Sequence, residues 1–454
     1  MTLTQIISVL IFVFILILIA TEAIHRTYAA LLGAGGMVII GVVKPTELLH
    51  FIEVDILGVI IGMMLLVRGA EKSGIFRTIA VKIMRASRTP TSLAVILLSF
   101  TMILSMFLEN ITCMLVVGTI TIIMTISLKI RPQLLLIFQA IITEIGGMMF
   151  IMSSIPNIIV ALEGGLTFYS FVRNILPLGI ILFVVTVLIF IRIFKRETEK
   201  EFTHALVEAG SRGAIEPSES PGDELDVRGE LRTMEFREWV DLSMRDFGSD
   251  EGVGRQLIAA VIMAGTIIGF VLSDPLGLNL SLVALSGGVL MSIFSGEEPN
   301  IMGEIDWSTI FFLAGLFILI NGLDKIGIIE ILSDGISSFI KGLSLNMPIS
   351  IMWLMAIPSS VIDNVPMTAA FAPVVRDWVL GGEAKSTWWG LVIGANLGGC
   401  LTPIGTPSNI VALGIAEREG QPISMGRFFR LCIGVTLLLL IISTLYMFLL
   451  YSVL

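Results

Sequence analysis

Two short segments place a carboxylate beside an asparagine in the middle of long apolar stretches: Glu109-Asn110-Ile111-Thr112 and Asp363-Asn364-Val365-Pro366. Two others interrupt apolar runs with glycine, proline and asparagine. Gly146-Gly147 precedes Ser154-Ile155-Pro156-Asn157, and Gly398-Gly399 precedes Gly405-Thr406-Pro407-Ser408-Asn409. The second break follows the first by 252 residues, at the glycine pair and at the asparagine alike. These residue types suit the binding of a small ion in apolar surroundings. Asn110, Asn157, Asn364 and Asn409 each bring an acceptor oxygen and two donors without adding charge. The hydroxyls of Thr112, Ser154, Thr368, Thr406 and Ser408 stand beside them. Glu109 and Asp363 carry the largest cost, because a carboxylate inside a membrane costs about 2.5–3.5 kcal/mol on insertion scales and marks an ion or proton path. With a proton as coupling ion they carry it; with sodium they balance its charge. Glu144 and Asn396, each two residues before its Gly-Gly, are secondary candidates. Glu144 is read either as a third titratable site or as a helix-packing residue.

The elements that position these residues follow from composition. The chain has 454 residues, of which 55% are hydrophobic and 14% charged, with mean hydropathy +0.96. Soluble domains carry about 25% charged residues, so this is a membrane protein. The three cysteines form no CxxC pair, and HExxH and P-loop motifs are absent, which argues against a zinc site, a metalloprotease and an ATP-driven pump. No cofactor and no nucleic-acid partner are expected; the partners are a small ion and the lipid bilayer. Residues 3–21 are read as a retained first helix, since no basic region or small-residue cleavage site accompanies them.

The expected fold is all-α and polytopic. Apolar spans lie near 3–21, 27–43, 54–69, 132–150 and 174–194, and again near 257–273, 280–296, 307–324, 387–404 and 430–450. The stretches 91–128 and 347–375 are too long for one crossing and polar at their centres, so they are read as re-entrant hairpins. Broken helices are expected over about 132–163 and 387–413. Gly146, Gly147, Gly398, Gly399 and Gly405, with Pro156 and Pro407, would open them. Irregular backbone at membrane depth must line a wet cavity or be buried in protein. Gly33, Gly35 and Gly36 are read as packing positions.

Residues 1–194 and 257–454 form two copies of five crossings plus one hairpin, joined by an acidic, flexible linker at 195–256. Arg68, Lys72, Arg77, Lys82, Arg85 and Arg88 set one loop in the cytoplasm by the positive-inside rule. This basic stretch is read as an interfacial helix without a substrate role, and Glu22 and Arg26 are placed at the membrane interface. Counting from the loop puts both termini outside and the linker inside. An odd number of crossings then makes the copies inverted, the architecture of secondary transporters with a midplane site. Freed carbonyls at the breaks would coordinate a cation, and the N-termini of half-helices would favour an anion.

At these residues the chain resembles the ion transporter superfamily of arsenite pumps, NhaD-type sodium/proton antiporters, citrate transporters and the melanosomal P protein. Gly394-Ala395-Asn396-Leu397-Gly398-Gly399 through Asn409, with Asp363-Asn364-Val365-Pro366, looks most like the P-protein and arsenite-pump branch. The resemblance implies an elevator in which a hairpin-bearing transport domain slides against a scaffold. That scaffold, built from the first spans of each half, often forms a homodimer. The first half departs from the pattern, with Glu109 for an aspartate and Ser153-Ser154-Ile155-Pro156-Asn157 for a more polar break, which favours proton coupling.

The expectation is thus a plasma-membrane secondary active transporter coupling H⁺ or Na⁺ to a small inorganic or organic ion. Arsenite export and Na⁺/H⁺ antiport are the narrower alternatives, and an ion channel is the alternative of another class. An enzyme is disfavoured because His25, His50 and His204 fall in loops or termini. Few basic residues lie near the breaks in sequence, which weighs against a polycarboxylate cargo. Cys113 and Cys400 lie close to a tip and a break.

Overall fold

Apolar runs become helices here, several of them capped by a polar side chain where the hydrophobicity stops. In the computed structural model, which describes residues 2–21, 23–76, 78–79, 89–127, 131–211, 253–295, 303, 305–342 and 345–453, every regular element is helical. Thr2 and Gln5 form a capping box that starts α1 (Leu3–Ala20). Then follow α2 (Arg26–Ile39), α3 (Val54–Lys72), α4 (Pro90–Ser105), α5 (Asn110–Ser127), α6 (Gln133–Gly147), α7 (Ile155–Gly164), α8 (Phe168–Asn174) and α9 (Leu176–Ser211). The later part of the chain holds α10 (Val253–Leu276), α11 (Leu280–Ser295), α12 (Trp307–Lys325), α13 (Ile328–Gly342), α14 (Met347–Ala356), α15 (Asn364–Leu380), α16 (Thr387–Gly399), α17 (Pro407–Arg418) and α18 (Met425–Val453).

The stretch expected as the first hairpin is α4 and α5, parted at residues 106–109, and the second is α14 and α15, parted by a 3-10 turn at Pro358–Ser360. The expected broken helices are the pairs α6/α7 and α16/α17. Proline opens each downstream half, Pro156 in α7 and Pro407 in α17, where its missing N–H is unneeded. Helix α9 continues to Ser211, beyond the boundary drawn at 195. The rest of the linker, 212–252, lies outside the described residues, as do Glu22, Arg77, Lys82, Arg85 and Arg88.

Five described helices are long and apolar enough to cross a bilayer: α1, the first part of α9, α10, α12 and α18. The protein is an integral membrane protein. Helix α2 has 14 residues and α11 has 16, short of the roughly 20 residues that a perpendicular crossing takes.

Packing exchanges partners between the two parts of the chain. Helix α3 lies along α11, and α12 lies along α2. Glycine permits both approaches: a Cβ on Gly62 would collide with the backbone of Ala284, and one on Gly315 would stand 2.9 Å from the Ala30 carbonyl carbon. Gly390, Gly394 and Gly398 likewise let α16 meet the carbonyl oxygens of Pro348, Met352 and Ala356 on α14. Gly33 packs on Ile15 and Leu319, and Gly36 on Ile11, whereas Gly35 faces open space.

Candidate functional site

Each break is held open by one asparagine. Asn157 Nδ2 donates to the carbonyls of Gly147 and Phe150, both at 2.8 Å. Asn409 Nδ2 donates to those of Gly399 at 2.9 Å and Thr402 at 2.8 Å. All three positions of one set follow the other by 252 residues. A helix that stops leaves its last carbonyls without partners, and the amide supplies the missing donors. The paired glycines give the space. A Cβ on Gly147 would strike the Asn110 amide, one on Gly146 the Ser105 hydroxyl, one on Gly398 the backbone of Ala356 and one on Gly399 the Thr406 methyl. Gly405 lies against Gly399 in the same way.

Both tip carboxylates cap helices. Glu109 accepts the Thr112 N–H at 3.3 Å, and Asp363 that of Val365 at 3.1 Å. Between the tips and breaks lies a cavity of about 150 Å³. It is lined by Glu109, Asn110 and Thr112 of the first tip, Ser154 and Pro156 of the first break, Asp363 and Asn364 of the second tip, and Thr406 and Pro407 of the second break. The four segments read from the sequence therefore meet. The first turns of α5, α7, α15 and α17 all contribute to the lining, so four helix N-termini point partial positive charge at one volume.

Four of the candidate residues do not line the cavity. Asn157 and Asn409 serve the break carbonyls, Thr368 donates to the Asn364 carbonyl at 2.7 Å, and Ser408 donates to Glu144 at 2.7 Å. Their work is to hold the backbone that shapes the site.

The structure adds residues that the sequence reading placed elsewhere. Arg26, expected at the membrane interface, reaches the second tip: its guanidinium donates to Asp363 Oδ2 at 3.1 Å and to Thr309 Oγ1 at 3.0 Å, and lies 5.3 Å from the Phe312 ring centre. Thr309 in turn donates to Asp306 at 2.5 Å. The local signal was a cation in the first turn of a helix, where the dipole opposes it; such a residue needs a tertiary partner. Arg68, assigned to an interfacial helix, lines the cavity and pairs with Glu71 at 3.0 Å. Two arginines therefore line the cavity, contrary to the expectation from sequence distance. Glu144, a secondary candidate, is wholly buried and lines the cavity as well. Cys113 and Cys400 are buried outside that lining.

A second polar chain crosses behind the cavity. Ser154 Oγ donates to Asn396 Oδ1 at 3.2 Å, and Asn396 Nδ2 donates to Asn157 Oδ1 at 3.1 Å. It continues through Asn157 to the carbonyls of the first break.

The sequence profile of the citrate transporter family, CitMHS, matches residues 16–394. The chain is 29% identical over 463 residues to an uncharacterized transporter of Mycobacterium tuberculosis, with 99% of each covered. It is 28% identical to the P protein of Homo sapiens over 91% of this chain, and spans 56% of that longer relative. The crystal structure of the Alcanivorax borkumensis YdaH transporter shares the fold with a TM-score of 0.54, covering 88% of this chain and 86% of its own at 15% identity.

Proposed function

Because this chain belongs to the citrate transporter family, we propose that it is a secondary active transporter coupling H⁺ or Na⁺ to the movement of a small anion. The observation that carries this reading is the convergence of four helix N-termini, Arg26 and Arg68 on one cavity. Oriented N–H dipoles and guanidinium groups are what an anionic cargo requires in an apolar setting. The same cavity is lined by Glu109, Glu144, Asp306 and Asp363. Two arginines against four carboxylates leave an excess of negative charge, so an anion enters favourably only with a cation or after protonation. That electrostatic condition is coupling. A small carboxylate of citrate-like chemistry fits both the lining and the family; neutral arsenite hydroxide makes no use of the cationic lining.

In this proposal Glu109, Asn110, Thr112, Ser154, Asp363, Asn364 and Thr406 contact cargo or coupling ion, and Asn157, Asn409, Thr368 and Ser408 hold the breaks. The two parts of the chain are inverted repeats. The repeated asparagine staples and the exchanged helix pairs, α3 with α11 and α2 with α12, support that symmetry. Movement is of the elevator type, with α1–α3 and α10–α12 as scaffold and homodimer contact, in the plasma membrane with the linker cytoplasmic.

The test uses purified protein in liposomes loaded with a pH-sensitive dye. Citrate, arsenite and Na⁺ gradients are imposed in turn, with Asp363→Asn as control. Proton movement tied to citrate and absent from the variant is the expected result. Labelled-citrate counterflow separates carrier from channel, since only a carrier exchanges against its own gradient.

A further inference from the structure

Glu144, which lines the cavity, and Asn409, which holds the second break, each carry a buried oxygen without a hydrogen-bond partner, Oε2 and Oδ1. Their counterparts in the other part of the chain are satisfied. Residue 396 follows 144 by 252, as 409 follows 157. There Asn396 Nδ2 donates to Asn157 Oδ1 at 3.1 Å while Asn396 Oδ1 accepts Ser154 Oγ at 3.2 Å. At that spacing Ser154 is matched by Thr406, whose Oγ1 lies 2.9 Å from Ser408 Oγ, and it is Ser408 Oγ that donates to Glu144 Oε1, at 2.7 Å. An amide offers a donor and an acceptor, whereas an ionised carboxylate only accepts. One added proton on Oε2 gives Glu144 both a donor and an acceptor, as the amide at 396 has.

We propose that Glu144 is a proton-binding site, in which the proton is carried on Oε2 in the cavity wall. The inference rests on the transport reading above and names its coupling ion as H⁺ and its carrier as Glu144, in place of the tip carboxylates. A proton from water in the cavity adds to Oε2 and leaves as H⁺ when the cavity faces the other side; no other covalent bond changes. The polar side chains beside Glu144, those of Ser408, Thr406 and Asn110, are neutral. The titratable side chains acting on Glu144 from the packed elements are Cys113 on α5, Cys400 after α16 and Asp363 at the second tip. Glu109, Asp306, Arg26 and Arg68 line the same cavity, and Arg26 is engaged by Asp363. An ionised Glu144 thus has neutral donors only, Ser408 at 2.7 Å foremost, and burying a charge without a charged partner is costly.

The site is tested by pH-difference infrared spectroscopy of the protein in lipid, alongside dye-reported proton flux. The wild type is expected to show the carbonyl stretch of a protonated carboxyl that Glu144→Gln abolishes and Glu109→Gln retains. Ser408→Ala, which keeps the carboxyl but removes its hydroxyl partner, is expected to shift that band. Glutamine mimics the protonated state, so Glu144→Gln is expected to melt no lower than the wild type while losing proton flux. A band untouched by Glu144→Gln, a band unmoved by Ser408→Ala, or a lower melting temperature for Glu144→Gln overturns the site. So does a flux that follows Na⁺ at constant pH and still requires Glu144. Wild-type protein that moves no proton with any cargo overturns the transport reading, while the infrared band still decides on Glu144.

Discussion

Ser408 Oγ donates to Glu144 Oε1 at 2.7 Å, joining residues 264 positions apart in the wall of one cavity. Each residue belongs to a different break, so neither part of the chain completes the site alone. Thr406 Oγ1 lies 2.9 Å from Ser408 Oγ and lines the cavity, extending the contact toward the opening. The hydroxyl matters because it donates directly to a wholly buried carboxyl group.

The asparagine staples are expected to be structural before they are functional. Asn157→Ala and Asn409→Ala each remove two donors from buried carbonyls. Leaving buried acceptors unpaired costs about 1–3 kcal/mol, read as a lower melting temperature in detergent. Aspartate at either position should be worse, since it replaces the donors by a charge facing two carbonyl oxygens. An unchanged melting temperature for both alanine variants would contradict the stapling role.

Arg26 ties α2 to the second tip through Asp363, with both side chains partly buried. Arg26→Ala is expected to abolish citrate counterflow. Arg26→Lys should restore only part of it, because an ammonium cannot donate to Asp363 and Thr309 in the forked geometry of a guanidinium. A double-mutant cycle with Asp363→Asn measures the pair; a coupling energy near zero would show that the contact has no weight.

The exchanged helix packing makes a sharp contrast between glycines. Gly62→Ala and Gly315→Ala force a methyl group against the facing backbone, and overpacking of this kind costs about 1–3 kcal/mol. Gly35→Ala enters open space on α2 and should be neutral or stabilising by up to about 1 kcal/mol, since alanine is the better helix former. Thermal denaturation of the three variants checks the order.

At the loop between α2 and α3, Glu47 accepts from Lys325 Nζ at 2.6 Å. That hydrogen bond, reinforced by the Lys44 N–H, holds its carboxyl below the usual carboxylate value. A lowered folded-state value means that the contribution is present above the unfolded value and is lost as pH falls through the folded one. The melting-temperature difference between wild type and Glu47→Gln should therefore exist at neutral pH and close in acid. As the pair is exposed, the difference should be small and reduced by salt.

How much of this was legible in the sequence differs by element. The tips and breaks were, because proline, paired glycine and asparagine act on their own backbone within a few residues, and their spacing of 252 residues repeats. The apolar runs were legible for the same local reason: hydropathy decides where a chain enters lipid. Arg26 was not, since its partners Asp363 and Thr309 lie on helices far away in the chain, nor was the place of Arg68 in the cavity lining, because sequence distance carries no information about which faces meet. The roles within the site were not legible either. Asn110 and Asn157 look alike in the sequence, yet one faces the cavity and the other turns to Gly147 and Phe150. By itself, the sequence determined that this is a membrane-embedded helical chain with two matched pairs of tips and breaks, because those features arise from neighbouring residues. Only the tertiary structure decided which side chains share the cavity and that Glu144 meets Ser408, because those contacts depend on helices brought together across the whole chain.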